Sequence, residues 1–94
     1  MTKKERQHLN AVAEIGCILC ARLDTPGTPA EIHHLRDGQG MGQRAPYTDT
    51  IGLCAFHHRG PGGFHGMGKR AFESAYGLTE RDLLSDVRRI LALD

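Results

Sequence analysis

Two short spacings constrain this chain more than anything else in it: Cys17-x-x-Cys20 and, further on, Cys54-x-x-His57. Each pair puts two soft ligands within one turn, so each can supply two corners of a tetrahedral zinc site. Together they form a closed Cys3His set that uses all three Cys of the chain. An odd number of Cys also argues against a closed disulfide framework. Taken singly, each thiol would read as a buried core residue. Two knuckles together point instead to metal. A redox CxxC is the other reading of the first pair, but the strand-then-helix context of such motifs is missing. A structural Zn2+ bound here would contribute on the order of 10 kcal/mol to folding.

The chain needs such a staple. Its 94 residues allow one domain, spanning 1–94. Only 39% of residues are apolar, there is no Trp, and the aromatics are two Tyr and three Phe. Domains near this size bury roughly 60–68% of the surface their unfolded chains expose, and small domains short of core recruit metal. No run of 18 apolar residues exists, so no membrane span is expected. Met1–Glu5 is polar and no apolar stretch follows it, so no secretory signal is expected and the chain reads as cytoplasmic. Net charge is +1 and the isoelectric point about 7.8. Bulk charge therefore neither supports nor excludes nucleic acid, and any such contact must come from local Arg and Lys.

Along the chain, Thr2 and Glu5 form a capping box for a helix from about 3 to 15, with Gly16 as its stop. Residues 23–30 hold Pro26, Gly27 and Pro29 and form a loop. Residues 31–35 and 50–53 read as two short strands, separated by a glycine-rich loop over 36–49. A loop that long is more often functional than idle. Gly60-Pro61-Gly62-Gly63 breaks any helix that starts at Cys54. A helix from Lys69 to Tyr76 stops at Gly77, and Thr79 with Asp82 caps a last helix whose stripe is Leu83, Leu84, Val87, Ile90 and Leu91.

Six His accompany the three Cys, so five remain once His57 is used. His8 has no His or Cys at i+3 or i+4 and reads as a surface or capping residue. His33 and His34 are neighbours on a strand and point to opposite faces, so one can hold metal while the other faces a substrate. Glu-x-His-His, a glycine-rich loop, Leu-Cys-x-x-His-His and a further His, in that order, resemble the HNH endonuclease superfamily. Its site is a ββα-metal (His-Me) finger. Within that superfamily, IHHLRDGQGMGQR, LCAFHHR and FHGMGKRAFESAYG are similar to the phage-borne recombination enhancement nucleases, the Ref family, over roughly residues 15–80.

The resemblance implies a small α+β fold: a zinc-stapled ββα-metal finger with flanking N- and C-terminal helices. It implies roles residue by residue. His33 stands at the first ligand of a catalytic divalent cation (Zn, Mg, Mn or Ni) and His34 at the general base. Asp49 stands where the family has its middle Asn; an Asp can still orient His34 but adds a charge that would raise the His pKa. His58 matches the helix ligand and His65 the last ligand. The seven-residue step from His58 to His65 is a departure, because a continuous helix would set the two about 10 Å apart. They share an ion only if the Gly60–Gly63 segment turns the chain back. The resemblance also implies a DNA substrate, a recombinase filament as partner, and a bacterial or phage-encoded protein.

Hydrolysis of a phosphodiester needs an activated water and neutralised charge on phosphate and leaving oxygen. A neutral imidazole with a pKa of about 6.5 suits the first task at neutral pH. Arg36, Arg44 and Arg59 are guanidinium forks suited to phosphate, and Lys69 adds a backbone contact; any one of them alone is an ordinary solvated charge. Two readings follow: a metal-dependent DNA endonuclease or nickase, and a non-catalytic zinc module that binds DNA or protein. The four His beyond the Cys3His set separate them, since a binding finger has no use for the surplus.

Overall fold

The computed structural model describes residues 1–92. Six helices and two strands follow in the order α1 (Lys3–Ile15), α2 (Ile18–Arg22), β1 (Glu31–His34), β2 (Thr50–Leu53), α3 (Ala55–His58), α4 (Phe64–Met67), α5 (Lys69–Tyr76) and α6 (Glu80–Leu91). The result is a small α+β fold. β1 and β2 pair antiparallel with Glu31 opposite Leu53 and His34 opposite Thr50.

Local chemistry sets the helix ends. At α1 the Thr2 hydroxyl accepts from the Glu5 amide, which is one half of the capping box; the return bond from the Glu5 side chain is not formed. At α6 both halves form: Thr79 Oγ1 accepts from the Asp82 amide and Asp82 accepts from the Thr79 amide. Gly77 ends α5 in the left-handed region at φ 65°. The stretch after Cys17 is a full helical turn (α2), capped by the Cys17 sulfur, which accepts from the Cys20 amide.

β2 is buried along its whole length, Thr50, Ile51, Gly52 and Leu53 alike. α1, α2 and α6 pack on it and bring Val12, Ile18, Leu19, Leu83 and Val87 into one core with Leu35 and Phe72. Close backbone approach matters at Gly52: a Cβ there would sit 2.7 Å from the Gly16 carbonyl oxygen. That approach places the start of α2 beside the end of β2, and with them the two Cys pairs. The stripe of α6 is narrower than its sequence suggests. Ile90 is 55% exposed, because at about 100° per residue it falls at the rim of the arc that holds Leu83, Leu84, Val87 and Leu91.

The 36–49 connection is built from its own contacts. The Arg36 guanidinium donates to the carbonyls of Gln43 and Gly40, and the Gln43 side chain accepts from the Gly40 amide. Its far end returns to the sheet through the Asp49 carbonyl, which accepts from the Leu35 amide at 3.0 Å.

Candidate metal centres

Among the described residues, two clusters of metal-ligating side chains emerge from this fold. The first is Cys17, Cys20, Cys54 and His57, all buried, with ligand atoms within 4.8 Å of one another. Its edges have the lengths zinc needs. A tetrahedron with Zn–S near 2.3 Å and Zn–N near 2.0 Å has S···S edges of about 3.8 Å and S···N edges of about 3.6 Å. Here Cys20 Sγ and Cys54 Sγ lie 3.8 Å apart. His57 Nδ1 lies 3.7, 3.4 and 3.3 Å from Cys17, Cys20 and Cys54 Sγ. The three Cys are free thiols. Burial pushes the Cys17 thiol up to about 12, so without a cation the pocket would keep it protonated; a coordinated metal reverses that. The donor set therefore fits a structural metal such as zinc.

The second cluster is His33, His58 and His65, again with ligand atoms within 4.8 Å of one another. His33 comes from β1, His58 from the end of α3 and His65 from α4. The ring centroids are 5.3 Å apart for His33–His58, 5.2 Å for His33–His65 and 4.8 Å for His58–His65. The chain does turn back after His58, and the short helix that carries His65 has no signal in the sequence. Gly66 permits the turn: a Cβ there would overlap the Gly60 carbonyl oxygen. The trio is graded in exposure, with His33 buried, His58 partly buried and His65 exposed. One side of it thus faces solvent, as an open coordination position requires.

Two carboxylates back this trio. Glu80 Oε2 accepts from His33 Nε2 at 2.6 Å, and the same carboxylate accepts from the Arg36 and Asp37 amides, both at 2.9 Å. Burial alone would raise the Glu80 carboxyl, but the His33 and amide hydrogen bonds outweigh it and hold the group below the usual carboxylate range. Glu31 Oε1 pairs with His58 Nδ1 at 2.8 Å and the Arg59 guanidinium holds both oxygens of Glu31. Those contacts, Arg59 first and His58 second, hold Glu31 at about 2. Glu31 had a legible signal, since it stands two residues before His33 on a strand and so shares its face. Glu80 had none: it reads as an ordinary acid in the first turn of a helix.

His34 takes the other face of β1. Its Nδ1 lies 3.4 Å from Arg44 Nη2, and both line a cleft of about 180 Å3 with Met1, Glu5, Leu9, Ala45 and Tyr47. Burial, then the charge of Arg44, lowers the His34 pKa, which keeps the ring neutral near neutral pH. Asp49 does not hydrogen-bond to His34. Its carboxylate pairs with Arg88 at 3.2 Å and Arg81 at 3.6 Å, and its link to the strand is the backbone bond to Leu35. The other cations expected at phosphate have partners already: Arg36 within its loop, Arg59 on Glu31, and Lys69 on Glu73 at 3.1 Å. His8 belongs to neither cluster. It is half-buried rather than a surface or capping residue, with its ring edge-on to Tyr47 at 5.4 Å.

Among the described residues no helix is long and apolar enough to cross a membrane. No curated protein matches the sequence significantly. A family model described as recombination enhancement, RecA-dependent nuclease matches residues 1–92.

Proposed function

Because the chain belongs to the family of recombination-enhancement, RecA-dependent nucleases, and so has a nuclease role in recombination, we propose that it is an HNH-type, metal-dependent DNA endonuclease or nickase built on a ββα-metal finger. The observation that carries this reading is the second cluster. A binding module stapled by zinc has no need of three further His on three elements with one side open. In this reading Cys17, Cys20, Cys54 and His57 hold a structural Zn2+, and His33, His58 and His65 hold a catalytic divalent cation. Three imidazoles favour Zn or Ni over Mg. When bound, that cation neutralises charge on the phosphate and the leaving oxygen.

The chain's own residues do the rest. A guanidinium has only donors, so His34 Nδ1 must face Arg44 with its lone pair. DNA in the cleft draws Arg44 to the phosphate, and Nδ1 is then free to take the proton of the attacking water. The new P–O bond forms as the bond to the leaving oxygen breaks. Asp49 positions the strand end that carries His34, through its carbonyl on Leu35. Arg44 is the phosphate fork of this reading, whereas Arg59, Arg36 and Lys69 would have to leave Glu31, the loop carbonyls and Glu73 to reach a phosphate. The family is described as RecA-dependent, and in this reading the partner is a recombinase filament.

The test is a nicking assay on supercoiled plasmid with Mg, Mn, Zn or Ni, with and without RecA filaments, comparing wild type with His34→Ala. Activity with one ion that falls by roughly 100-fold or more in His34→Ala supports the base. Unchanged activity in the variant removes His34 from that role. Absence of cutting in every arm favours the non-catalytic zinc module.

A further inference from the structure

A buried carboxylate lies behind the second cluster, and the reading above gives it no role. Glu80 is 1% exposed, sits in the first turn of α6, and is 47 residues from the His it touches. A buried ionisable group without partners is strongly unfavourable. This one has three: His33 Nε2 at 2.6 Å, and the amides of Arg36 and Asp37 at 2.9 Å each. The helix N-terminus adds a favourable field for the anion.

The direction of these bonds is fixed by chemistry. Backbone amides can only donate, so both require acceptors on Glu80. An ionised carboxylate has only acceptors, so His33 Nε2 must carry the hydrogen. The lone pair of that ring then stands on Nδ1. His58 is set in the complementary way: Glu31 takes its Nδ1, which leaves Nε2. The ring of His33 is also packed against Phe64 at 4.8 Å, so its orientation is held from a second side.

We propose that Glu80 is a positioning residue of the nuclease centre: it fixes the tautomer and the aim of His33 so that Nδ1 presents a lone pair toward His58 and His65. The inference rests on the reading of His33, His58 and His65 as a metal site. It goes beyond that reading by assigning the selectivity for the metal-competent imidazole to a residue on the last helix. Glu80 also fastens the start of the 36–49 loop to that helix through the Arg36 and Asp37 amides. Metal His and loop are therefore set by one group.

Glu80→Gln tests it, because Gln keeps the size and one acceptor oxygen but replaces the other with an NH2 donor. Either the NH2 faces His33, which moves the hydrogen to Nδ1 and removes the ligand lone pair, or the single oxygen stays on Nε2–H and the Arg36 amide, and His33 loses the carboxylate charge that raises its basicity as a ligand. Two measurements are made on the zinc-stapled chain. The first is Co2+ titration of the second site against a competing chelator, with zinc content of the Cys3His site as internal control. A loss of about 10–100-fold in Co2+ affinity is expected, as for other groups that orient a metal ligand, at unchanged zinc content. The second is nitrogen-15 NMR of the His33 ring in the wild type without Co2+, which should report Nε2–H. A purely structural role would lower Tm in Glu80→Gln without moving the tautomer or the affinity. Co2+ affinity within twofold of wild type, or an Nδ1–H tautomer in the wild type, overturns the proposal. If Glu80→Gln fails to fold, the wild-type tautomer decides it alone. A wild-type chain that binds no Co2+ beyond the first site brings down the metal-site reading instead, and the tautomer still decides what Glu80 does to His33.

Discussion

The two clusters differ in how the chain assembles them. Cys17, Cys20, Cys54 and His57 come as two local pairs, each closed within a turn, and all four are buried. His33, His58 and His65 come singly from a strand and two short helices, and their exposure runs from buried to exposed. Sulfur crowds the first, and among the described residues no carboxylate bonds to its four ligands. Imidazole makes up the second, with Glu80 and Glu31 each gripping one ring. A soft, closed, locally encoded set suits a staple, whereas a harder, open set held by remote groups suits exchange and chemistry.

The largest effect should come from the staple. Cys17→Ala removes one corner of a site worth on the order of 10 kcal/mol, against a total stability of about 5–15 kcal/mol for a domain. The variant should lose its far-ultraviolet helix signal at 25 °C and bind no zinc. A folded variant with an unchanged melting curve would refute the staple. His58→Ala should do the reverse. It should keep the fold and the zinc, and lose nuclease activity by more than the roughly 10–100-fold that removal of an orienting neighbour costs. Metal counting by mass spectrometry distinguishes the two: at saturation, two ions in the wild type and one in His58→Ala.

This asymmetry also explains what the sequence could tell. The Cys and His pairs of the first cluster are legible because their spacing is their geometry: Cys17 caps α2 and its sulfur accepts from the Cys20 amide. The end helices are legible for the same reason, through caps and stripes at helical spacing. The second cluster needs the fold. His65 was too far from His58 for one helix, and only the backbone contact of Gly66 on Gly60 shows how the gap closes. Glu80 was hidden because its partner is 47 residues away and its own neighbourhood reads as a routine helix start. Arg36 misled in the opposite sense. It looked like a phosphate fork, but its donors are used on carbonyls of the loop that carries it.

Gly66→Ala acts on the second cluster alone, with a smaller effect. The added methyl would overlap the Gly60 carbonyl oxygen, and overpacking of this kind costs about 1–3 kcal/mol. α4 must shift, and His65 with it. Co2+ affinity at the second site should fall while zinc content stays at one. Equal Co2+ affinity in the variant would mean that His65 is not held by that turn.

The smallest effect concerns the contact that braces the staple from outside. Asp86, 4% exposed, accepts from Arg22 Nε and Nη2 and from Arg89 Nη2, and so ties α6 to the end of α2. The Arg22 hydrogen bonds hold its pKa below the ordinary carboxylate value. A depressed folded pKa gives stability that is present above the unfolded pKa of about 3.9 and is lost as pH falls through the folded value. The pH window of this contact therefore lies below about 4. Zinc ligands take up protons at higher pH than that, so the staple should release its ion before Asp86 titrates. Asp86→Asn should accordingly lower Tm by the same modest amount at pH 8 and at pH 5.5. A gap between wild type and variant that narrows between those two values would place the titration of Asp86 in the wrong window. It would show that the brace and the staple respond to acid together rather than in sequence.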